Sequence, residues 1–174
     1  MQLSYLFQIL ESKLEKLPKI TIYTDGAARG NPGPGGYGIV LISGEHRKEL
    51  SQGYKKTTNN RMELLAVIVA LEKLKFEGSE VTVYTDSKYV ADAVNNRWLF
   101  EWEKKGFKKK KNPDLWKKFL KIYFRHKVNI QWVRGHSEIE ENEICDKLAV
   151  EASKKSYLLE DEGYVNNDDK NTLF

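Results

Sequence analysis

Cysteine is nearly absent from this chain of 174 residues. Cys145 stands alone, which excludes an intrachain disulfide and a disulfide-stapled secreted scaffold, and fits an intracellular protein. No apolar run approaches the roughly 20 residues that cross a bilayer, so no membrane span is expected. The N-terminus has no basic leader ahead of a small-residue cleavage site, which argues against a secretory signal and for a cytoplasmic location. A large charge imbalance is also lacking. The net charge of +4 decides little, but its distribution decides more: Lys104 to Lys111 holds six lysines, while the stretch after Leu159 is acidic. A local basic surface of that kind suits a polyanion.

What is present begins with a repeated pattern. Ile20-Thr21-Ile22-Tyr23-Thr24 alternates and is rich in β-branched residues, and Asp25 follows it. Val81-Thr82-Val83-Tyr84-Thr85 has the same character, and Asp86 follows. Both read as strands with a carboxylate at the exit, so two acids should meet at the ends of neighbouring strands. The run from Gly26 to Gly38 contains six glycines but no Gly-Lys-Ser/Thr ending, and Pro32 and Pro34 remove amide donors a phosphate cradle would use. It reads as a tight link into a second strand, Tyr37 to Ile42. His46 falls in the turn to a third strand, Arg47 to Tyr54. Lys55 to Asn60 reads as a polar connector with helix N-cap chemistry.

Every residue from Leu64 to Leu71 is apolar, so the helix there should be buried on most sides, and Glu63 in its first turn should face a shared site. Shorter helices are expected from Ser87 to Asn95, from Trp98, and from Asp114 to about Arg125. Val128 to Val133 reads as the last strand, and Glu141 to about Ser156 as the last helix, with Asp146 on its inner side. Cys145 and His126 read as structural residues. Met1 to Lys16 carries an apolar stripe of Leu3, Phe7, Leu10, Leu14 and Leu17 before Pro18. It reads as an amphipathic helix packed on the domain. Gln2 to Phe7 also resembles the short motifs that bind replication sliding clamps, so a replication-protein contact is a second reading. The organisation expected is an N-terminal extension over 1–18, a catalytic domain over 19–156 and an acidic, mobile tail over 157–174.

Four carboxylates stand out: Asp25, Glu63, Asp86 and Asp146. Gathered together they would raise one another's pKa, and a cluster of hard oxygen ligands suits Mg²⁺. A pair of such ions is the arrangement used for in-line displacement at phosphorus.

Taken in order, Tyr23-Thr24-Asp25-Gly26, Gly30 to Gly38, Thr57 to Leu64, Thr85-Asp86-Ser87, Trp132 to His136 and Asn142-Glu143 with Asp146 resemble bacterial type 1 ribonuclease H, over about Lys19 to Ser156. The resemblance implies an α/β fold with a mixed five-stranded sheet, an antiparallel meander plus parallel strands, flanked by helices. It implies an endoribonuclease that cuts the RNA strand of RNA–DNA hybrids with two Mg²⁺ ions, Mn²⁺ being possible, and leaves 5′-phosphomonoesters. The chain would act as a monomer. By the same resemblance, Asp25, Glu63, Asp86 and Asp146 are metal ligands, and His136 assists the leaving group or product release. Asn31, Lys56, Thr58, Asn59, Asn60, Trp98, Lys104 and Lys105 would bind the hybrid, the last three from the edge and body of a basic protrusion. Glu138 stands where the family usually has glycine. A hybrid-binding module without catalysis would need the protrusion but not the four acids, and a nuclease for duplex DNA would lack a preference for the 2′-hydroxyl.

Overall fold

The structure is a computed structural model that describes residues 18–164. The stripe of residues 1–17, the clamp-like Gln2–Phe7 stretch within it and the end of the acidic tail lie outside the described residues. Five strands form one sheet in the order β3-β2-β1-β4-β5: β1 Lys19–Ala28, β2 Gly33–Ser43, β3 His46–Thr57, β4 Glu80–Thr85 and β5 Lys127–Trp132. β1–β2 and β2–β3 pair antiparallel, while β1–β4 and β4–β5 pair parallel. This is the expected mixed sheet.

The helices are α1 Asn59–Glu72, α2 Lys88–Asn95, α3 Trp98–Lys104, α4 Pro113–Tyr123 and α5 Glu140–Ala152. α1 packs on β1 and β2 and against α4 and α2. Its apolar run is buried as expected, with Leu64, Ala66, Val67, Ile68, Ala70 and Leu71 all inside. α5 covers the opposite face of β1, β2 and β3.

Three expectations need correction. The glycine run is half strand: β2 begins at Gly33, not at Tyr37. Its glycines make room for a helix. A Cβ on Gly38 would lie 2.0 Å from the Cys145 carbonyl oxygen, so α5 rests its backbone directly on β2. Lys55 to Thr57 belongs to β3 rather than to a connector, and His46 opens that strand. The described part of the acidic tail is docked, not loose. Leu159 N–H donates to the Gly53 carbonyl, and Lys55 N–H donates to the Leu159 carbonyl. Asp161 is buried, beyond the reach of a periodicity argument, because its partner Arg61 lies 100 residues away.

Arg61 is almost fully buried on α1. It donates to both carboxylate oxygens of Asp161 at 2.7 Å and to those of Asp114 at 3.0 and 2.7 Å. Burial opposes its charge, but the hydrogen bonds to Asp114 and Asp161 overcome that and hold the guanidinium more firmly protonated than usual. One side chain thus ties the first turn of α1 to α4 and to the C-terminal segment.

Candidate active site

The repeated Tyr-Thr-Asp pattern becomes geometry through the parallel register of β1 and β4. Tyr23 pairs with Tyr84 and Thr24 with Thr85. The tyrosine rings stack at 4.9 Å. The next residues, Asp25 and Asp86, therefore leave the pairing side by side. Asp25 is not at the strand exit, however. β4 stops at Thr85, while β1 continues to Ala28 paired only with β2. Asp25 stands where β1 loses its parallel neighbour, and that gap is the mouth of the site.

Glu63 enters from the first turn of α1, and the reason it can come so close is Gly26. A Cβ there would meet Glu63 N at 2.3 Å and the Met62 carbonyl carbon at 2.5 Å. The helix backbone lies directly on the strand. Gly26→Ala should push α1 outward, costing about 1–3 kcal/mol by overpacking and roughly 100-fold in turnover through displaced Glu63. A urea melt and a steady-state cleavage assay of the variant would check both effects.

The electrostatics record the convergence. Asp25 is buried, and its pKa is pushed up to about 8, first by burial and then by Asp86, Asp146 and Glu63; its bond from Gly26 N–H at 2.7 Å opposes the rise. Burial and Asp146 raise Asp86, against help from backbone, His136 and a hydrogen bond with Asp25. Burial and Asp86 raise Glu63, while the Ser87 hydroxyl, which donates to Glu63 Oε2, works the other way. The other three predicted carboxylates thus all act on Asp25. As they stand, among the described residues, no three Asp, Glu, His or Cys side chains are grouped tightly enough to hold an ion. Glu63 is engaged by Ser87 instead.

Ser87 holds two parts of the site together. It caps α2, its Oγ accepting from Val90 N–H at 3.3 Å, and it also holds Glu63. The signal was present, since serine directly after a strand-end aspartate is good N-cap chemistry. Trp132 is a second tie: its Nε1 donates to the Asp86 carbonyl at 3.0 Å and so holds the backbone that carries the carboxylate. Gly135 passes close enough that a Cβ would meet Asp86 Oδ2 at 2.8 Å.

His136 is largely exposed, and its Nδ1 lies 3.6 Å from Glu143 Oε2. Its charge is felt at Asp86. His136 and Glu138 both take positive φ, 53° and 62°. Glu138 therefore adopts the left-handed backbone that glycine favours, at a cost of about 1 kcal/mol.

The predicted hybrid-binding residues divide into two groups. Asn31 and Asn59 are knitted together beside the site: Ala28 N–H donates to Asn59 Oδ1 at 2.6 Å, and Asn59 N–H donates to Asn31 Oδ1 at 3.2 Å. Thr58 caps α1 through Arg61 N–H, and Asn60 is exposed in the helix's first turn. Lys56 lies on β3 with its ammonium 5.6 Å above the Tyr164 ring. Trp98, Lys104 and Lys105 form the second group, exposed on and just after α3. Phe107, by contrast, is buried and anchors the basic loop to the core.

The profile of the RNase H family matches residues 18–154. The chain is 57% identical over 155 residues to a ribonuclease H of Trichodesmium erythraeum, covering 86% of this chain and 98% of that one. It is 49% identical over 150 residues to a ribonuclease HI of Synechocystis, covering 83% and 94%. Among solved structures it is similar to LC9-RNase H1 at 32% identity and a TM-score of 0.71, covering 79% of this chain and 72% of the other. It is also similar to LC11-RNase H1 in complex with an RNA/DNA hybrid, at 32% identity and a TM-score of 0.57, covering 76% and 95%.

Proposed function

This chain belongs to the ribonuclease H family, and from that premise we propose how its site performs the family's reaction. It is a hydrolase that cuts the RNA strand of RNA–DNA hybrids endonucleolytically. The observation that carries the assignment to residues is Asp25, buried where β1 outruns β4 and raised by Asp86, Asp146 and Glu63 together.

A family enzyme of this kind is metal-dependent, and the donor set fits a hard divalent ion. It is all oxygen, and burial and mutual repulsion raise its central carboxyls, a repulsion that a bound cation would relieve. Asp25, Glu63, Asp86 and Asp146 would hold two Mg²⁺ ions, or Mn²⁺, which supply activation of the attacking water and charge stabilisation at the leaving oxygen. To serve as ligands Asp25 and Asp86 would have to be ionised, and Glu63 would have to exchange its bond from Ser87 for the ion.

The remaining residues bind and orient. Asn31 and Asn59, fixed to each other and to Ala28, present amides beside the acids, where the 2′-hydroxyl of the RNA strand passes. Asn60 reaches the same minor groove. Thr58, at the positive end of α1, and Lys56 take phosphates of the DNA strand. Trp98 lies against a DNA sugar, and Lys104 and Lys105 hold the backbone beyond it. His136, exposed beside the site with its Nδ1 3.6 Å from Glu143 Oε2, would protonate the leaving 3′-oxygen from its ring nitrogen or assist product release. We place this activity in the cytoplasm, in a monomer that leaves 5′-phosphomonoesters. Among the described residues no helix is long and apolar enough to cross a membrane.

The substrate assignment is tested with a hybrid and the matching all-DNA duplex at equal salt, because each phosphate contact contributes about −0.9 to the log–log salt slope on duplex DNA. The hybrid should be cut and the DNA left intact. Comparable cleavage of the two would remove the 2′-hydroxyl from the argument.

A further inference from the structure

The segment after α5 runs along β3 and ends beside a lysine assigned above to the DNA strand. Leu159 bridges in parallel to Tyr54, and Lys55 Nζ lies 2.7 Å from Glu160 Oε1. From there the segment is fixed, step by step, to the residues that open α1. The Thr57 hydroxyl and the Arg61 guanidinium both donate to Asp161. Gly163 lies flat on the Arg61–Asp114 pair, where a Cβ would meet Asp114 Oδ2 at 2.0 Å and Arg61 Nη2 at 2.6 Å. Tyr164 N–H then donates to the Asp161 carbonyl at 2.9 Å and closes a turn. That turn sets the half-buried Tyr164 ring 5.6 Å from Lys56 Nζ.

Lys56 is exposed and stands two residues before Thr58, the cap of α1. A lysine stem is flexible, and an arriving phosphate gains most from an ammonium that already stands in place. The face of a tyrosine ring attracts an ammonium and narrows its range of positions. It does so without cancelling the charge, as a carboxylate would. The neighbouring Lys55 shows the contrast, its ammonium being paired with Glu160. A rigidly anchored ring beside an exposed lysine is therefore a device for aiming a cation that remains available to an anion.

We propose that Tyr164 is a positioning residue for Lys56, given that Lys56 takes a phosphate of the DNA strand. The docked segment over 157–164 thereby belongs to the apparatus that grips the hybrid. Tyr164 acts through Lys56 and not on the reacting atoms, so it bears on KM and leaves the chemical step alone.

The test is steady-state hybrid cleavage by the full chain at fixed salt and Mg²⁺, with Tyr164→Leu, Tyr164→Phe, Lys56→Gln and the double variant of Tyr164→Leu with Lys56→Gln. Tyr164→Leu should raise KM roughly two- to fivefold at unchanged kcat. Tyr164→Phe, which keeps the ring, should restore the wild-type KM. In the Lys56→Gln background Tyr164→Leu should add nothing. A loosened segment would raise KM in either background, so the double variant separates aiming of Lys56 from docking of the segment. The proposal is overturned if Lys56→Gln raises KM and Tyr164→Leu does not, if Tyr164→Phe behaves like Tyr164→Leu, or if Tyr164→Leu still raises KM without Lys56. Lys56→Gln with a wild-type KM would instead remove Lys56 from the DNA strand, and the role of Tyr164 with it.

Discussion

Asp25→Asn is expected to abolish hybrid cleavage while making the metal-free protein more stable at neutral pH. The first effect follows from removing the carboxylate on which the other three converge. The second follows from its pKa. In the folded state Asp25 is pushed up to about 8 by burial and then by Asp86, whereas an unfolded aspartate titrates near 3.9. The folded state therefore binds more protons than the unfolded state between about pH 4 and 8, and metal-free stability must fall as pH rises through that window. Above it the full penalty, a few kcal/mol, is present. Asparagine keeps the shape and accepts from Gly26 N–H without the charge. The variant should lose most of this pH dependence and melt higher at pH 7, by roughly 2–4 °C for each kcal/mol recovered. Melting curves from pH 4 to 8 in EDTA would show it. Mg²⁺ should narrow the gap, because a single ion at ten times its dissociation constant adds about 1.4 kcal/mol to the wild type. A variant that melts at or below the wild-type temperature at pH 7 in EDTA would mean that the carboxylates do not strain one another.

Arg61→Ala is expected to be the most destabilising single substitution outside the apolar core, at about 3–5 kcal/mol. Its side chain is 1% exposed and is the shared cation of Asp114 and Asp161, of which Asp161 is buried. Removing it leaves Asp161 without its main counter-charge, though the Thr57 hydroxyl still donates to it at 2.6 Å. Asn112 also loses its bond from Arg61 Nη1 at 3.3 Å. The C-terminal segment, held at Asp161 and along β3 by Leu159, should detach first. Urea unfolding would show a lower midpoint with a similar slope if the transition remains two-state. A loss below about 1 kcal/mol would place the network in the class of solvated surface pairs.

These two residues mark the limits of what a sequence can carry. Asp25 was legible because its pattern repeats at Asp86, and a parallel register turns repetition along the chain into adjacency in space. The buried helix was legible from eight successive apolar residues, and Glu63 from its place at their edge. The glycine run was legible as an exclusion, since it lacks a phosphate-cradle ending, but not as a strand. Glycine has poor β-propensity, and what selects it on β2 is the backbone of α5, a contact formed from residues more than 100 positions away. Arg61 sits inside a quoted motif without revealing its role, because its partner Asp161 falls in a stretch whose composition reads as disordered. Composition averages over residues, and one buried ion pair is enough to overrule it. Glu138 shows the converse: the backbone takes the left-handed conformation that glycine favours although the residue there carries a Cβ.

The most direct measurement is cleavage of a hybrid whose RNA strand is labelled, by the full chain, in Mg²⁺ and in excess EDTA, with the product ends identified. Four carboxylates serving as ligands predict cuts within the RNA strand that leave 5′-phosphates, complete loss of cutting in EDTA, and recovery when Mg²⁺ is restored. Cleavage that continues undiminished in EDTA would contradict that account.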